Sequence, residues 1–393
     1  MDTLERIRSS FWDLEIELPS WGFANSGTRF AIFAQEGAPR DAAEKVDDAA
    51  RVARFTGSAR SVALHIPWDS VDDYEGLASY ARERGIRIGG INSNTFQDPI
   101  YRLGSLCHPD PQVRRAAVAH MLVCCDIMRA TGSDVLKVWL GDGTNYPGQD
   151  DIRARRHRLI EGLREVYAAL PAYGRLLLEY KLYEPSLYQT DVQDWGTALN
   201  VCEKLGDHAA VVVDLGHHAQ SVNIEHIVAT LLDEGRLGGF DLNDRKYGDD
   251  DLMVGSIDPY QLFRILHEIV KASHDPDGRL AAVVRRVVYM IDQSHNIEPK
   301  VPAMIRSVMN LQEAYAKALL VDLGALRAAQ ESGDVLEANA VLRDAYDTDV
   351  RAALEGLRAE RKLARDPYRA YLASDEERER ARTRVGGAAA GWR

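Results

Sequence analysis

Basic residues are too few in this sequence to suggest a nucleic-acid partner. The chain has 48 Lys and Arg against 60 Asp and Glu, so its formal net charge is -12 at pH 7. A phosphate polyanion would be repelled over most of such a surface. We therefore expect no binding to DNA or RNA.

Long apolar runs are also missing. No window approaches the ~18 uncharged apolar residues of a membrane-spanning helix, and charged residues lie within the first turns, MDTLERIRSSF. This pattern predicts neither a transmembrane helix nor a signal peptide. We expect no membrane partner and a cytoplasmic location.

Cysteine is scarce. The four cysteines are Cys107, Cys124, Cys125 and Cys202, and they form no Cys-x-x-Cys pair. Two of them are adjacent within an apolar run, which is typical of buried, reduced thiols. A zinc site built from cysteines is therefore not expected.

The residues that are present suit a large globular protein. Hydrophobic residues make up 46% and charged residues 27% of the 393 positions, which provides enough apolar mass for a large core. An α/β barrel of roughly 250 residues would fill much of this length as one domain. The composition excludes a disordered or fibrous chain.

Short runs rich in Val, Ile and Leu alternate with longer amphipathic stretches, as expected of βα units with a parallel sheet. The eight runs predicted as strands are residues 22–33, 61–65, 86–91, 135–140, 176–180, 210–214, 239–242 and 287–291. The helices predicted between them include residues 42–55, 111–130, 152–168, 195–205, 224–234 and 259–270. Eight strand–helix units predict an α/β fold, the closed (β/α)₈ TIM barrel.

The end of the chain has a different composition. From about residue 323 it is rich in Ala, Glu and Arg, and helices are predicted at residues 323–332, 334–346 and 348–365. We therefore divide the chain into a catalytic barrel, residues 1–322, and a C-terminal helical extension, residues 323–393. The extension either contacts a neighbouring subunit or is a solvated tail, and its composition favours neither. Residues 383–393 are expected to fray.

Acidic side chains end four successive strands. Catalytic groups of an α/β barrel come from the C-terminal ends of its strands. The fifth to eighth predicted strands end in Glu179, Asp214, Asp241 and Asp292. Any single one could cap a helix, but four converging carboxylates repel one another unless a cation binds among them. The sequence therefore predicts a divalent-metal site.

Ligands for a second cation are present near the seventh strand. In NDRKYGDDDLMVGS, Asp249 and Asp251 lie two residues apart and share one face if the loop is extended. His217 follows Asp214 by three residues, and this spacing favours it over His218. Imidazole with carboxylates suits Mn²⁺ or Co²⁺, and an all-oxygen set suits Mg²⁺ or Mn²⁺. A simple hydrophilic loop is the alternative.

These motifs resemble a known family. The series is Glu179-x-Lys181, Asp214-x-x-His217, Asp241-x-Asn243, Asp249-x-Asp251 and Asp292, with the segments EYKLYEPSLYQTDVQDWG and NDRKYGDDDLMVGS. It is similar to the two-metal sugar isomerases, most of all to L-rhamnose isomerase, with xylose isomerase more distant. The resemblance covers roughly residues 21–300, and each motif falls on its expected strand in order.

The resemblance implies a metal-dependent aldose–ketose isomerase that acts in carbohydrate metabolism, with L-rhamnose to L-rhamnulose as the reaction. It implies two divalent cations per subunit, Mn²⁺ before Co²⁺ or Mg²⁺, and a homotetramer. The first cation would be held by Glu179, Asp214, Asp241 and Asp292, and the second by His217, Asp249 and Asp251. Lys181 would contact the carbonyl end of the sugar, and Asp292 would assist proton transfer between O2 and O1.

Two positions separate the two families. L-rhamnose isomerases carry His where this chain has Asp241, and xylose isomerases carry Asp there. Conversely, Asp214 matches L-rhamnose isomerases, since xylose isomerases use Glu. The reaction class is therefore better supported than the substrate.

Other strand ends supply groups that would contact a sugar. His65 would help to open the ring or bind a distal hydroxyl, with Asp69 as a candidate orienting group. Trp68, Phe96 and Trp139 would stack on C–H faces of the sugar and exclude water. Each of these side chains is also compatible with an ordinary core position.

Three alternatives remain at this stage. A ketose 3-epimerase on a related barrel needs one metal and two opposed carboxylate bases, and has no use for the pair Asp249 and Asp251. A metal-dependent phosphodiesterase would want more His ligands and a basic groove. A non-catalytic sugar-binding protein would hold no metal. Within the isomerase hypothesis, the sequence does not decide between a hydride shift and an enediol route.

Overall fold

Eight parallel strands close into a barrel with helices around it. A computed structural model describes residues 3–25, 32–183, 189–246, 248–293 and 297–385. The strands are β1 Ile16–Pro19, β2 Ala59–Ile66, β3 Arg87–Ser93, β4 Val135–Val138, β5 Arg175–Glu179, β6 Ala209–Asp214, β7 Leu237–Leu242 and β8 Val288–Ile291. Each strand pairs with its neighbours in sequence, and β8 pairs with β1. The predicted TIM barrel is confirmed.

Helices follow the strands and continue to the end of the described chain. They are α1 Thr3–Arg8, α2 Ala42–Thr56, α3 Tyr74–Glu83, α4 Pro111–Thr131, α5 Ile152–Ala168, α6 Trp195–Leu205, α7 Ile224–Asp233, α8 Pro259–Ser273, α9 Arg279–Val284, α10 Lys300–Leu319, α11 Leu323–Ser332, α12 Val335–Asp347, α13 Arg351–Glu360, α14 Pro367–Ala373 and α15 Glu376–Thr383. An Asp or Asn caps each of α2 to α8, and its side chain accepts a backbone N–H of the first turn. Dedicated caps therefore start these helices.

The prediction of the first strand was wrong. It placed the strand at residues 22–33, whereas β1 is Ile16–Pro19 and Trp21–Phe23 is a short 3₁₀ turn; residues 26–31 lie outside the described residues. The polar side chain of Glu17 interrupts the apolar pattern of β1. It is buried, and its carboxylate accepts bonds from the Ser61 hydroxyl and the Gly90 N–H. The other seven strands agree with prediction to within two residues at each end.

Apolar side chains fill part of the barrel interior below its C-terminal end. Val135, Leu177 and Val212 form a buried cluster inside the barrel. A larger core lies between the strands and the helices, and it includes all four cysteines as buried free thiols. The polar side chains at the ends of β5, β6 and β7 are themselves buried, so they meet in a partly dry environment.

The extension packs against the barrel of its own chain. Arg358 of α13 donates to Gln312 of α10, and Gln312 in turn donates to the Thr56 carbonyl at the end of α2. Arg380 of α15 and the nearby Arg384 donate to Asp48 of α2. In the part of the chain that the structure describes, no helix is long and apolar enough to cross a membrane.

Asp48 anchors the end of the extension, and this predicts a stability effect. Its side chain is 0% exposed and accepts from Arg380 at 2.9 Å and from Arg384 at 2.7 Å. Asp48→Ala leaves both buried guanidinium groups without this partner, so we expect a loss of about 3–5 kcal/mol in the free energy of unfolding, measured in urea. Arg378→Ala is the control, since its pair with Asp375 is largely exposed and worth ~0–1 kcal/mol. Equal unfolding midpoints for the two variants would contradict the anchor.

Candidate active site

The four strand-end acids converge at the C-terminal end of the barrel. Asp214 and Asp241 are register partners on β6 and β7, and Glu179 ends β5. The helices after these strands are capped instead by Asp194, Asn223 and Asp258. The alternative that Glu179, Asp214 or Asp241 serves as a helix cap is therefore excluded.

Ligand atoms of these four acids and of His217 form two groups that share one residue. Glu179, Asp214 and His217 form one group, and Asp214, Asp241 and Asp292 form the other. Within each group, one ligand atom per residue lies within 4.8 Å of the others. Oδ2 of Asp214 and Oδ2 of Asp241 are buried and have no hydrogen-bond partner among the described residues. Unpaired buried carboxylate oxygens so close together are a donor set that fits divalent cations.

The imidazole of His217 is oriented toward this cluster. Its Nδ1 donates to the carbonyl oxygen of Tyr180 at 3.0 Å, and a carbonyl only accepts, so Nδ1 carries the proton when the ring is neutral. Nε2 then faces Asp249 at 3.3 Å and Asp214 at 3.7 Å. A backbone bond on one ring nitrogen that frees the other is the usual arrangement of a metal-binding histidine.

The neighbouring His218 is directed elsewhere. Its Nε2 lies 2.5 Å from the Tyr180 hydroxyl, and the two rings meet edge to face. Burial, with Arg245 nearby, lowers the pKa of His218 to about 3. The structure thus places His217, as expected, and not His218, against the carboxylates.

Asp249 and Asp251 approach from the loop after β7. Asp249 accepts from Lys181 Nζ at 2.6 Å and lies beside His217. Asp251 contacts the Asn243 amide at 3.4 Å, and Asn243 also donates to Asp214 at 2.9 Å. Among the described residues these two acids do not form a separate compact trio with His217. The structure instead brings His217 together with Glu179 and Asp214.

Burial and mutual repulsion perturb the acids strongly. Burial, and then the charge of Asp241, raise the pKa of Glu179 and that of Asp292 to about 8. Burial raises the pKa of Asp214 to about 6, although His217 opposes the shift. Burial alone would lower the pKa of His217, but Asp214 and Asp249 hold it well above its usual value. Without a cation, the repulsion among the acids is therefore relieved by protons bound to the carboxyl groups and to His217.

His65 and three aromatic rings form one wall of the site. His65 stacks on Trp68 with centroids 3.9 Å apart, and Phe96 meets Trp139 edge to face at 4.6 Å. Burial, with Lys45 nearby, holds the pKa of His65 well below its usual value, so the ring is neutral. Its Nδ1 has no partner in the described chain. Asp69 accepts the backbone N–H of His65 and does not orient the ring as expected.

Three side chains at the site had no role assigned from the sequence, although Asn243 belongs to one of its motifs. Trp21 donates from Nε1 to Asp292 at 2.9 Å, and Asn243 links Asp214 to Asp251. Lys137 forms a buried ion pair with Asp241. Burial alone would lower the pKa of Lys137, but the carboxylates of Asp241 and Glu179 raise it, so the ammonium is charged. A lysine inside the apolar run VLKVWL was the signal that could have identified it.

A cavity of about 350 Å³ opens beside the cluster. Lys181, His217 and Asp249 line it. Its size is within the usual range of small-molecule sites, roughly 300–1,000 Å³. A small ligand in this space would therefore contact His217 and Asp249, at the edge of the cluster.

Comparisons with known proteins found a matching family model and similar chains. Residues 41–271 match a family model described as xylose isomerase-like TIM barrel. A protein of Mesorhizobium japonicum named "Probable sugar isomerase" is 43% identical over 377 residues, covering 94% of this chain and 86% of that protein. A protein of the same description from Rhizobium meliloti is 43% identical over 376 residues with the same coverage.

More distant relatives share less of the sequence. The xylose isomerase of Thermus thermophilus is 29% identical over 183 residues, which is 44% of this chain and 47% of that enzyme. Among solved structures, 3-keto-D-glucoside 4-epimerase from E. coli matches with a TM-score of 0.53 at 14% identity, over 76% of this chain and 99% of that one. The similarity to the epimerase structure shows that the two chains share a fold.

Proposed function

This chain belongs to the family of xylose isomerase-like TIM barrels, and on that premise we propose that it is a metal-dependent aldose–ketose isomerase whose preferred substrate is L-rhamnose. The resemblance of its strand-end motifs to L-rhamnose isomerase supports the substrate. The names of its relatives at 43% identity support the reaction class. We further propose a homotetramer and Mn²⁺ as the metal, both from the same resemblance.

One observation supports the proposal most directly, the pair of ligand groups that share Asp214. A carboxylate common to both groups suits two cations held side by side, as a two-metal isomerase requires. We propose that Asp214, Asp241 and Asp292 hold the first cation and that Glu179, Asp214 and His217 hold the second. Asp249 and Asp251, from the loop after β7, would complete the second set of ligands. When bound, these cations would supply Lewis-acid polarisation of the sugar's carbonyl and hydroxyl oxygens.

Lys181 is the side chain of this site best suited to the carbonyl end of an open-chain sugar. Its ammonium lies 2.6 Å from Asp249 and 5.2 Å from the centroid of the Trp139 ring, at the border between the charged and aromatic walls. A cation there stabilises negative charge that develops on O1 while hydrogen moves from C2 to C1. Asp292, which accepts from Trp21 Nε1 at 2.9 Å, is the carboxylate that we propose exchanges a proton with O2 or O1.

The wall around His65 would bind the rest of the sugar. Its neutral imidazole has an Nδ1 without a partner among the described residues, and with the proton on Nε2 this atom would accept a hydrogen bond from a sugar hydroxyl, including the anomeric O1–H that loses its proton as the ring opens. Trp68, Phe96 and Trp139 offer ring faces and edges to C–H groups and keep water from the reacting carbons. Polar recognition on one side and apolar packing on the other suit a sugar.

A panel of aldoses tests the proposal. The protein, stripped with EDTA and reloaded with Mn²⁺, should form ketose from L-rhamnose with the highest kcat/KM, and with lower values from L-mannose, L-lyxose and D-allose. A higher kcat/KM for D-xylose or D-glucose would contradict the assignment of L-rhamnose as the preferred substrate. Epimerisation of ketoses without aldose–ketose conversion, with one metal per chain, would overturn the reaction in favour of a ketose 3-epimerase.

Deuterium at C2 of the sugar then separates the two routes. A hydride shift carries the label to C1 of the ketose, whereas an enediol route exchanges it with solvent. We expect retention of the label, because the carboxylates near the site are grouped as metal ligands and would not be free as a base at C2.

A further inference from the structure

Lys137 lies at the centre of the barrel, directly beneath the candidate metal ligands. It is the middle residue of the series Val135, Lys137 and Trp139, of which the first two lie on β4 and Trp139 directly follows it; along a strand such side chains alternate with those of the opposite face. Val135 belongs to the cluster inside the barrel, and Trp139 contacts Phe96 at the strand end. Lys137 is therefore directed into the interior, where its side chain is 3% exposed.

Among the described residues, the ammonium of Lys137 has one charged partner in direct contact. It donates to Oδ1 of Asp241 and to the Met290 sulfur at 3.4 Å. Oδ2 of Asp241 has no hydrogen-bond partner among the described residues, and Asp241 groups with Asp214 and Asp292. One carboxylate thus contacts a fixed cation with one oxygen and has the other oxygen available to the metal site.

We propose that Lys137 is an internal counter-ion of the candidate metal site, cancelling the charge of Asp241 while it holds that carboxylate in a one-oxygen binding orientation. The inference rests on the proposed function, because it takes Asp241 as a ligand of a divalent cation. Lys137 is a positioning residue and does not touch the substrate. Its charge lowers the repulsion among the acids without metal and also limits how tightly the site holds a cation.

A lysine that only fills the barrel would behave differently from a counter-ion. If Lys137 only fills space inside the barrel, its volume is what matters, and Met has a similar volume. Lys137→Met would then leave the affinity for metal unchanged, or weaken it through misplaced ligands. A counter-ion acts through charge, so the same variant would leave Asp241 uncompensated and strengthen the binding of a divalent cation. The sign of the change in metal affinity therefore separates the two roles.

The experiment is a double-mutant cycle on EDTA-stripped protein, with Mn²⁺ alone titrated by calorimetry. For one Mn²⁺ site, Lys137→Met should lower Kd and Asp241→Asn should raise it, each by at least about tenfold, because one unit charge close to a divalent ion is gained or lost. The double variant K137M/D241N, with an uncharged pair, should return to within about threefold of wild type. Without metal, K137M should unfold at a lower temperature than wild type.

Each other outcome has a definite meaning. If K137M does not fold, the double variant is compared with D241N, and it should bind Mn²⁺ more tightly because the unpaired ammonium is gone. A double variant no tighter than D241N, or a K137M protein with unchanged or weaker Mn²⁺ binding, would overturn the counter-ion. Wild-type protein that binds no Mn²⁺ would overturn the proposed function itself, so the two failures are distinct.

Discussion

Asp214→Asn is expected to lower kcat/KM for isomerisation by more than about 100-fold while the protein stays folded. The Asn side chain keeps an oxygen in place of Oδ1, which accepts from the Gly216 N–H and the Asn243 amide. It replaces the unpaired Oδ2 with an amide nitrogen that cannot bind a cation. Loss of a supporting group beyond the ligands costs about 10–100-fold in affinity or activity, so loss of a shared ligand should cost more.

The measurements are steady-state kinetics and metal content, with Asp250→Asn as the matched control. Asp250 lies between the two proposed ligands of the loop, and its carboxylate accepts the backbone N–H of Lys246. It therefore controls for charge and for position in the loop. Asp214→Asn should lose metal of both sites, whereas Asp250→Asn should keep it. A D214N protein with full metal content and near-normal turnover would remove the shared ligand from the proposal.

The strand-end motifs were predictable because a barrel gives chain position a fixed meaning. Once eight strands alternate with helices, the residues that end β5 to β8 must meet, and Asp214 and Asp241 do so as register partners. The choice of His217 over His218 needed only the spacing from Asp214. The sequence also identified acids that are not helix caps, although the structure was required to show which residues cap the helices instead.

What could not be predicted depends on contacts between distant residues. Glu17 made β1 look unlike a strand because its partners, Ser61 and Gly90, come from other strands. The pair of Lys137 and Asp241 joins residues 104 positions apart, and a lysine in an apolar run gives no sign of its partner. The docking of α15 onto Asp48 likewise depends on a separation of 332 positions. Composition alone left the extension either solvated or bound to another subunit.

Metal should stabilise the protein more at pH 8 than at pH 6. In the metal-free protein the pKa values of Glu179 and Asp292 are raised to about 8, above those of the unfolded chain. At a pH between roughly 4, the usual carboxyl pKa of an unfolded chain, and about 8, the folded chain holds protons that the unfolded chain has released. The free energy of unfolding therefore falls as the pH rises toward 8, by up to about 1.4 kcal/mol per pH unit for each group. The raised pKa of His217 acts in the same direction, because its protonated form is stabilised in the fold.

Divalent cations reverse this dependence, since they need deprotonated ligands and bind more tightly as the pH rises. At about 100 times its Kd a cation adds about 2.7 kcal/mol, so the gap in Tm between Mn²⁺-loaded and EDTA-stripped protein should widen from pH 6 to pH 8. In the stripped variant E179Q/D292N two titrating groups are absent, so its Tm should depend less on pH than that of stripped wild type. A wild-type gap that stays constant across this range would mean that these buried acids do not bind the cation, because proton release and metal binding would then be unlinked.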